Sequence, residues 1–324
     1  MCRLSLISAA LLLCACAPTF AQSKADLQQL LTSAEQHASL FDDQTAPFQL
    51  DVDLVVKAKV HGRLTLKWGA KDRWWRKLVL GNFQQIEVKS GDSRYTARNS
   101  EINPILIGDI FKLLDLDDNA GNLTAKKEKH RSEHGVNLNC IQVEGKFETS
   151  HRVCLDPATS DILSDEWKEA PDEQDSEKFT NYFYFGSHHY PHTLELRVND
   201  KSVVTANVLD LTAAPFDESL LTPPPGAIAR RECDGETAPK AISTPDVDFS
   251  GLPSNDKSPG DSTVAMTVLA DGSVDDIHIV QGMTPSMDQV ILKTLKLWKF
   301  TPAMCGTEPV VADITVVVSF RITS

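Results

Sequence analysis

Apolar residues fall on every second position from 48 to 60: Phe48, Leu50, Val52, Leu54, Val56, Ala58 and Val60. Strand side chains alternate between two faces, so this run predicts one long, half-buried strand. Runs over 63–68, 73–80, 83–90 and 94–98 predict further strands, with turns at Gly69, Gly81-Asn82 and Gly91-Asp92. More follow near 136–145, 150–155, 160–168, 178–186, 192–199 and 202–210. Two segments change period. Leu27, Leu30, Leu31, Ala34 and Ala38 recur at three- and four-residue spacing over 24–41, an amphipathic helix that Ser23 can cap. Asn103-Pro104 opens a second helix, with Ile107, Ile110, Phe111 and Leu114 on its apolar face. The pattern predicts an antiparallel meander of about ten or eleven strands with two helices, one face packed and one wet.

The end of the chain has its own pattern. STVAMTVLA reads as a strand, Asp271-Gly272-Ser273 as a tight turn, and VDDIHIVQG as the returning strand. Pro285-Ser286 starts a helix whose Met287, Val290, Ile291, Leu295 and Trp298 share a face. Residues 299–309 read as a loop, and the final strand alternates Ile314, Val316, Val318, Phe320 and Ile322 with other residues. That is a ββαβ unit, its helix covering a three-stranded sheet. Before it, 215–261 carries Pro223-Pro224-Pro225-Gly226, Pro239, Pro245, Pro253 and Pro259 among many Asp and Ser. It reads as a linker and an extended entry.

The first residues are neither. Leu4 to Ala17 is apolar, with Arg3 the sole charge before Lys24. Fourteen residues of helix span about 21 Å, short of a roughly 30 Å hydrocarbon core and suited to a signal peptide. Thr19-Phe20-Ala21 places cleavage before Gln22; the alternative is a lipid anchor on Cys16. No later run approaches membrane-spanning length, so the mature chain is expected to have no transmembrane helix.

Composition narrows the partners. The 324 residues are 41% hydrophobic and carry a net charge of −13, which becomes −14 once Arg3 is lost. An acidic chain is a poor match for a phosphate backbone, so no nucleic-acid partner is expected. Export also suits disulfides. Cys140 and Cys154 sit on successive strand-like runs, where a hairpin centred near Phe147 sets them opposite each other. That leaves Cys233 to pair with Cys305, the alternative being four free thiols.

The tail resembles the TonB C-terminal domain. The resemblance rests on PKAISTPDVDF, ADGSVDDIHIVQG, MDQVILKTLKLWKFTPA and EPVVADITVVVSFRI, in that order. It implies an edge strand that captures an extended segment of a partner by β-augmentation, here through Ile314, Val316, Val318 and Phe320. Asp248-Phe249-Ser250 stands where that family often has Tyr-Pro. The long Pro/Glu/Lys spacer and the retained membrane helix of an energy transducer are expected to be missing, which speaks against energy transduction.

Residues 24–212 resemble the lipoprotein-carrier fold of LolA and LolB. The matching features are the first helix, GRLTLKW, RWWRKLVLGNFQQIEV, CLDPATSDIL and YFYFGSHHYPHTLELRV. That resemblance implies a curved half-barrel sheet around an apolar cavity for a lipid or acyl chain. Trp68, Trp74 and Trp75 are candidates to line it or to form an interface, the alternative being plain packing on the sheet. A cavity above about 300 Å³ favours carrying over a packed scaffold.

Other candidate chemistry reads as ordinary surface. His130-Arg131-Ser132-Glu133-His134 spells a zinc-protease pattern, but lies in a uniformly polar stretch read as a solvated loop. His188, His189 and His192 read as a hairpin loop. Asp115, Asp117 and Asn119 imitate a calcium loop, with Ala120 where Gly is needed. The acidic run at 165–178 reads as a solvated loop. No metal, cofactor or catalytic set is expected, and the chain reads as no enzyme.

The expectation is therefore an α+β chain. Residues 1–21 form a signal peptide and 22–214 a large curved antiparallel sheet with two helices. A Pro-rich linker at 215–237 leads to a small ββαβ unit at 238–324. It is expected in the periplasm as a binding protein for an envelope partner, or alternatively as a lipid or lipoprotein carrier.

Overall fold

A computed structural model of the chain describes residues 23–42, 44–99, 104–116, 123–133, 136–144, 150–170, 173–231 and 236–321. Residues 1–22, where a signal peptide is expected, residues 145–149, where the hairpin turn near Phe147 is expected, Cys233 and Asp117-Asp118-Asn119-Ala120 lie outside the described residues. The first helix, α1 (Lys24–Ala38), starts at a capping box. Ser23 Oγ accepts from the Asp26 backbone N–H while Asp26 accepts from Ser23 N, satisfying two otherwise orphaned donors. Its buried stripe is Leu27, Leu31, Ala34 and Ala38, the face that the spacing predicts.

The meander follows as β1 (Phe48–Val56), β2 (Val60–Ala70), β3 (Arg73–Leu80), β4 (Phe83–Ser90) and β5 (Ser93–Arg98). The alternation over 48–60 is a hairpin and not one strand. Lys57 and Ala58 take positive φ, the chain reverses, and Val60 pairs with Val56. The turn holds no Gly or Asn, so the sequence offered no signal there. Next come α2 (Pro104–Leu114), β6 (Thr124–Glu133), β7 (Val136–Glu144), β8 (Ser150–Leu155) and β9 (Ile162–Ala170). Then follow β10 (Glu173–Phe185), β11 (His188–Val198) and β12 (Lys201–Ala213).

One short strand enlarges this sheet unexpectedly. Inside the Pro-rich stretch expected as a linker, β13 (Ile228–Arg231) pairs antiparallel with β5. The result is a 13-stranded curved antiparallel sheet in the order β13-β5-β4-β3-β2-β1-β12-β11-β10-β9-β8-β7-β6. Helices α1 and α2 pack on one face of it. Their apolar stripes join Phe48, Leu50, Val52, Leu54, Leu64 and Leu66 in one buried core.

In the large sheet, three segments expected as loops are strands. The zinc-protease pattern lies largely in β6, and an extended strand cannot stack its positions as a helix would. The acidic run at 165–178 belongs mostly to the β9–β10 hairpin, where Asp165 and Asp175 are buried. Its carboxylates are held by bases on other strands: Asp165 by His151 at 3.0 Å, Glu166 by Arg131 and by Arg152 at 3.3 Å. His188, His189 and His192 belong to β11, the turn being Gly186-Ser187.

After β14 (Lys240–Ser243), a smaller sheet is built from β15 (Gly260–Val268), β16 (Val274–Gln281), α3 (Pro285–Leu295) and, at its end, β20 (Ala312–Phe320). Its strand order is β16-β15-β20, the expected ββαβ arrangement. It encloses a core of its own, with Val264, Met266, Val268, Met287, Ile291 and Leu295. The expected loop at 299–309 instead holds β17 (Lys299–Thr301), β18 (Ala303–Cys305) and β19 (Glu308–Val310).

Two motif glycines have structural reasons. Gly272 takes φ +78°, and a Cβ there would stand 2.0 Å from the Phe300 carbonyl oxygen. The Phe300 N–H in turn donates to the Gly272 carbonyl at 2.9 Å, which docks the turn on the helix exit. A Cβ on Gly282 would meet the Asp288 carboxylate at 2.1 Å, the same carboxylate that accepts from Met283 N at 3.1 Å.

Candidate functional site

Two features are candidates: a cavity in the large sheet and a free edge on the small one. The cavity holds about 360 Å³. Leu50 of β1, Leu64, Leu66 and Trp68 of β2, and Trp74 of β3 line it, with Phe111 and Leu114 of α2 opposite. It exists because α2 covers the concave face without filling it. Phe41, Phe48 and Phe185 cluster with Trp68, their ring centroids 5.3–6.1 Å from the Trp68 or Phe48 ring, which makes one side aromatic.

The three candidate tryptophans divide. Trp68 and Trp74 are cross-strand partners and share the cavity face. Trp75 pairs with Lys67 and does not line the cavity. Adjacent strand residues must point to opposite faces, so Trp74 and Trp75 could never both line it. That parity was readable in the sequence.

Arg76, which no sequence motif marks, also lines the cavity. Its guanidinium lies 3.3 Å from the Phe111 ring centroid and 4.7 Å from that of Trp74. Burial works against its charge, and an ion pair with Glu87 offsets much of that cost. Burial also pushes the Glu87 carboxyl up, but Arg76 and Arg94 outweigh it and hold the group below the ordinary carboxylate range.

Glu87 begins a charged row across the concave face. Residues directly opposite on paired strands share a face. Arg76 faces Glu87, Glu87 faces Thr96, Lys89 faces Arg94, and Arg94 faces Arg230 of β13. The smaller sheet meets this row. Arg230 donates from Nε and Nη2 to Asp313 of β20 at 3.1 and 3.0 Å, a bidentate pair, and Asp313 accepts from Thr267 Oγ1 at 2.6 Å. Arg98 pairs with Asp276 of β16, which also lies 2.7 Å from His278 Nε2. For both Asp313 and Asp276 burial raises the pKa, yet the hydrogen bonds and neighbouring arginines prevail and the net shift is downward.

Among the described strands the small sheet has two unpaired edges, β16 and β20, and the candidate is that of β20. This strand pairs with β15 on one side, and no described strand pairs with the other. Ile314, Val316, Val318 and Phe320 turn toward α3 and the small core. The outward series is Thr315, Val317 and Ser319, with Val317 61% exposed. A groove of about 670 Å³ runs between Val317–Phe320 of β20 and residues 244–250. Trp298 lines it too and donates from Nε1 to the Pro245 carbonyl at 3.1 Å.

The other sequence candidates do not assemble. Cys140 and Cys154 are cross-strand partners on β7 and β8 and are bonded as a disulfide. Cys305 is also disulfide-bonded, while Cys233 lies outside the described residues. His188 Nε2 lies 3.0 Å from Thr45 Oγ1, His189 Nδ1 lies 2.5 Å from Asp161, and His192 meets the Phe183 ring. Three different partners leave no common ligand set. Among the described residues, no group of three or more His, Cys, Asp or Glu is placed to hold a metal. Among them too, no helix is long and apolar enough to cross a membrane.

Both resemblances read from the sequence recur in comparisons with known proteins. Solved structures similar to the chain include a LolA superfamily protein from Nitrosomonas europaea, 11% identical, with a TM-score of 0.41 over 60% of this chain and 96% of that one. Another is a DUF1329 family protein from Desulfovibrio piger, 9% identical, TM-score 0.42, over 60% and 95%. The MucA/MucB complex from Pseudomonas aeruginosa matches at 10% identity and TM-score 0.28, over 68% and 67%. Likeness at that level says nothing of ligand or partner. No curated protein matches. Residues 256–322, which hold β15, β16, α3 and β20, match the family model described as Gram-negative bacterial TonB protein C-terminal.

Proposed function

We propose that this chain is a non-enzymatic binding protein of the periplasm whose small sheet takes an extended segment of an envelope protein onto the free edge of β20. The observation that carries the reading is the unpaired edge, in the stretch that matches the TonB C-terminal model. An added strand gains affinity from backbone hydrogen bonds and selectivity from alternate side chains. Here the groove beside Val317–Phe320 gives such a segment room. The inward turn of Ile314, Val316, Val318 and Phe320 fits that role, because they hold the strand on its core while its backbone does the recognising.

The test is capture from envelope extract with the mature chain as bait and mass-spectrometric identification. Val317→Pro, which removes one backbone donor from the edge strand, is expected to lose a partner that wild type and Val317→Thr both retain. Equal capture by the proline variant, with its fold intact by circular dichroism, contradicts the reading.

A second reading has its own observation. The cavity's 360 Å³ lies within the roughly 300–1,000 Å³ of small-molecule sites and is walled mainly by apolar residues. It supports a role in carrying a lipid or acyl chain. Native mass spectrometry of protein purified from the envelope is expected to show a co-purified amphiphile. Uniformly empty protein, together with no uptake of added lipid, contradicts it.

A further inference from the structure

We propose that the cavity takes a single-chain amphiphile with an anionic head group, the head held at the mouth by Lys71 and Lys112. This rests on the second reading above, that the cavity is a ligand site.

Size limits the tail. A dry apolar cavity of about 150 Å³ admits the six carbons of benzene. At the same ratio, the 360 Å³ here has room for roughly fourteen carbons. That is one alkyl chain, and not the two of a bilayer phospholipid. The deep wall of Leu50, Leu64 and Leu66 offers a polar chain no partner.

Charge selects the head. The chain as a whole is acidic, at −13, yet three of the four ionisable side chains lining the cavity are basic: Lys71, Arg76 and Lys112 against Asp115. Arg76 is committed to Glu87. Lys71 and Lys112 are exposed while lining the cavity, which places its opening beside them. Neither ammonium has an ion-pair partner among the described residues. Lys71 comes from the turn after β2 and Lys112 from α2, so one head group between them would bridge sheet and helix. A carboxylate and a phosphate monoester both fit this chemistry.

Trp68 and Trp74 make binding visible, since a chain entering the cavity must change their fluorescence. The mature protein is titrated with tetradecanoate, tetradecyl phosphate, 1-tetradecanol and tetradecyltrimethylammonium, all below their aggregation limits. At least one anion is expected to bind about tenfold more tightly than the alcohol, the size of two partly exposed ion pairs, and the cation most weakly. The two anions tell carboxylate from phosphate. Lys71→Glu/Lys112→Glu changes exposed positions only and is expected to reverse the order. Leu66→Trp fills the cavity and is expected to abolish all binding. Equal affinity for anions and alcohol, or an unchanged order in the double variant, overturns the head-group assignment and leaves the cavity reading standing. No binding of any chain, or binding untouched by Leu66→Trp, overturns the cavity reading and the assignment with it.

Discussion

The two sheets expose opposite resources. The large sheet turns apolar side chains inward under α1 and α2 and leaves a gap among them. The small sheet fills its core and leaves a strand edge open. A cavity recognises through side chains, so single substitutions should alter what it holds. An edge recognises through backbone, so most side-chain changes there should matter little and loss of an N–H should matter a great deal. A third surface joins them, since the charged end of the concave face is covered by ion pairs to the small sheet. Such contacts are directional and depend on ionisation, unlike the apolar cover elsewhere.

The largest effect should come from the apolar cover. Leu31→Ala removes a fully buried α1 side chain and is expected to cost about 2–5 kcal/mol in chemical denaturation. A loss below 1 kcal/mol would mean that α1 is not seated as described. Next comes the Cys140–Cys154 bond, which closes a hairpin with a sequence separation of 14. Its removal by paired serines is expected to cost about 3 kcal/mol on the loop-entropy estimate, while leaving the edge of β20 competent for a partner.

Arg230→Ala targets the junction. Asp313 keeps substantial solvent exposure, so a modest cost of roughly 1–2 kcal/mol is expected. Faster proteolysis between β13 and β14 should accompany it, with both cores intact. If denaturation of the large sheet moved as far as in Leu31→Ala, the ion pairs would belong to its core and not to a junction.

Acid should act on the same place. Glu87, Asp276 and Asp313 all have folded pKa values below their ordinary ones. Their contribution is therefore complete above the ordinary carboxylate range and is lost as pH falls through the lowered values. Hydrogen exchange at β13 and β16 is expected to rise on acidification, before exchange in β1 and β12 does. The reverse order would contradict a junction held by carboxylates. The smallest effect should be Val317→Thr, an outward and exposed change expected to cost under about 0.5 kcal/mol.

Much of this was legible in the sequence, and the exceptions have physical causes. Period-2 alternation located most strands, and the Asp271-Gly272 turn and Gly282 proved to be positions where a Cβ would collide. The Lys57-Ala58 reversal was hidden because ordinary residues occupy its positive-φ positions. The row of Gln85, Glu87 and Lys89 is polar in sequence and yet buried in the fold. A polar residue looks the same in sequence whether water or a distant arginine satisfies it. The cavity was expected only through family likeness, because its lining comes from strands and a helix far apart in the chain. Arg76 is inconspicuous in the sequence for the same reason, since its partners Phe111 and Glu87 sit on other elements.

Photo-crosslinking in intact cells tests the central claim most directly. A benzophenone amino acid at position 317 on β20 is compared with one at exposed Asp275 on β16, the other edge of the same sheet. Strand pairing at β20 predicts an adduct from 317 that maps to an extended segment of one envelope protein, with none from 275. An adduct from 275 alone, or none from either position while the purified chain still captures that protein, would contradict it.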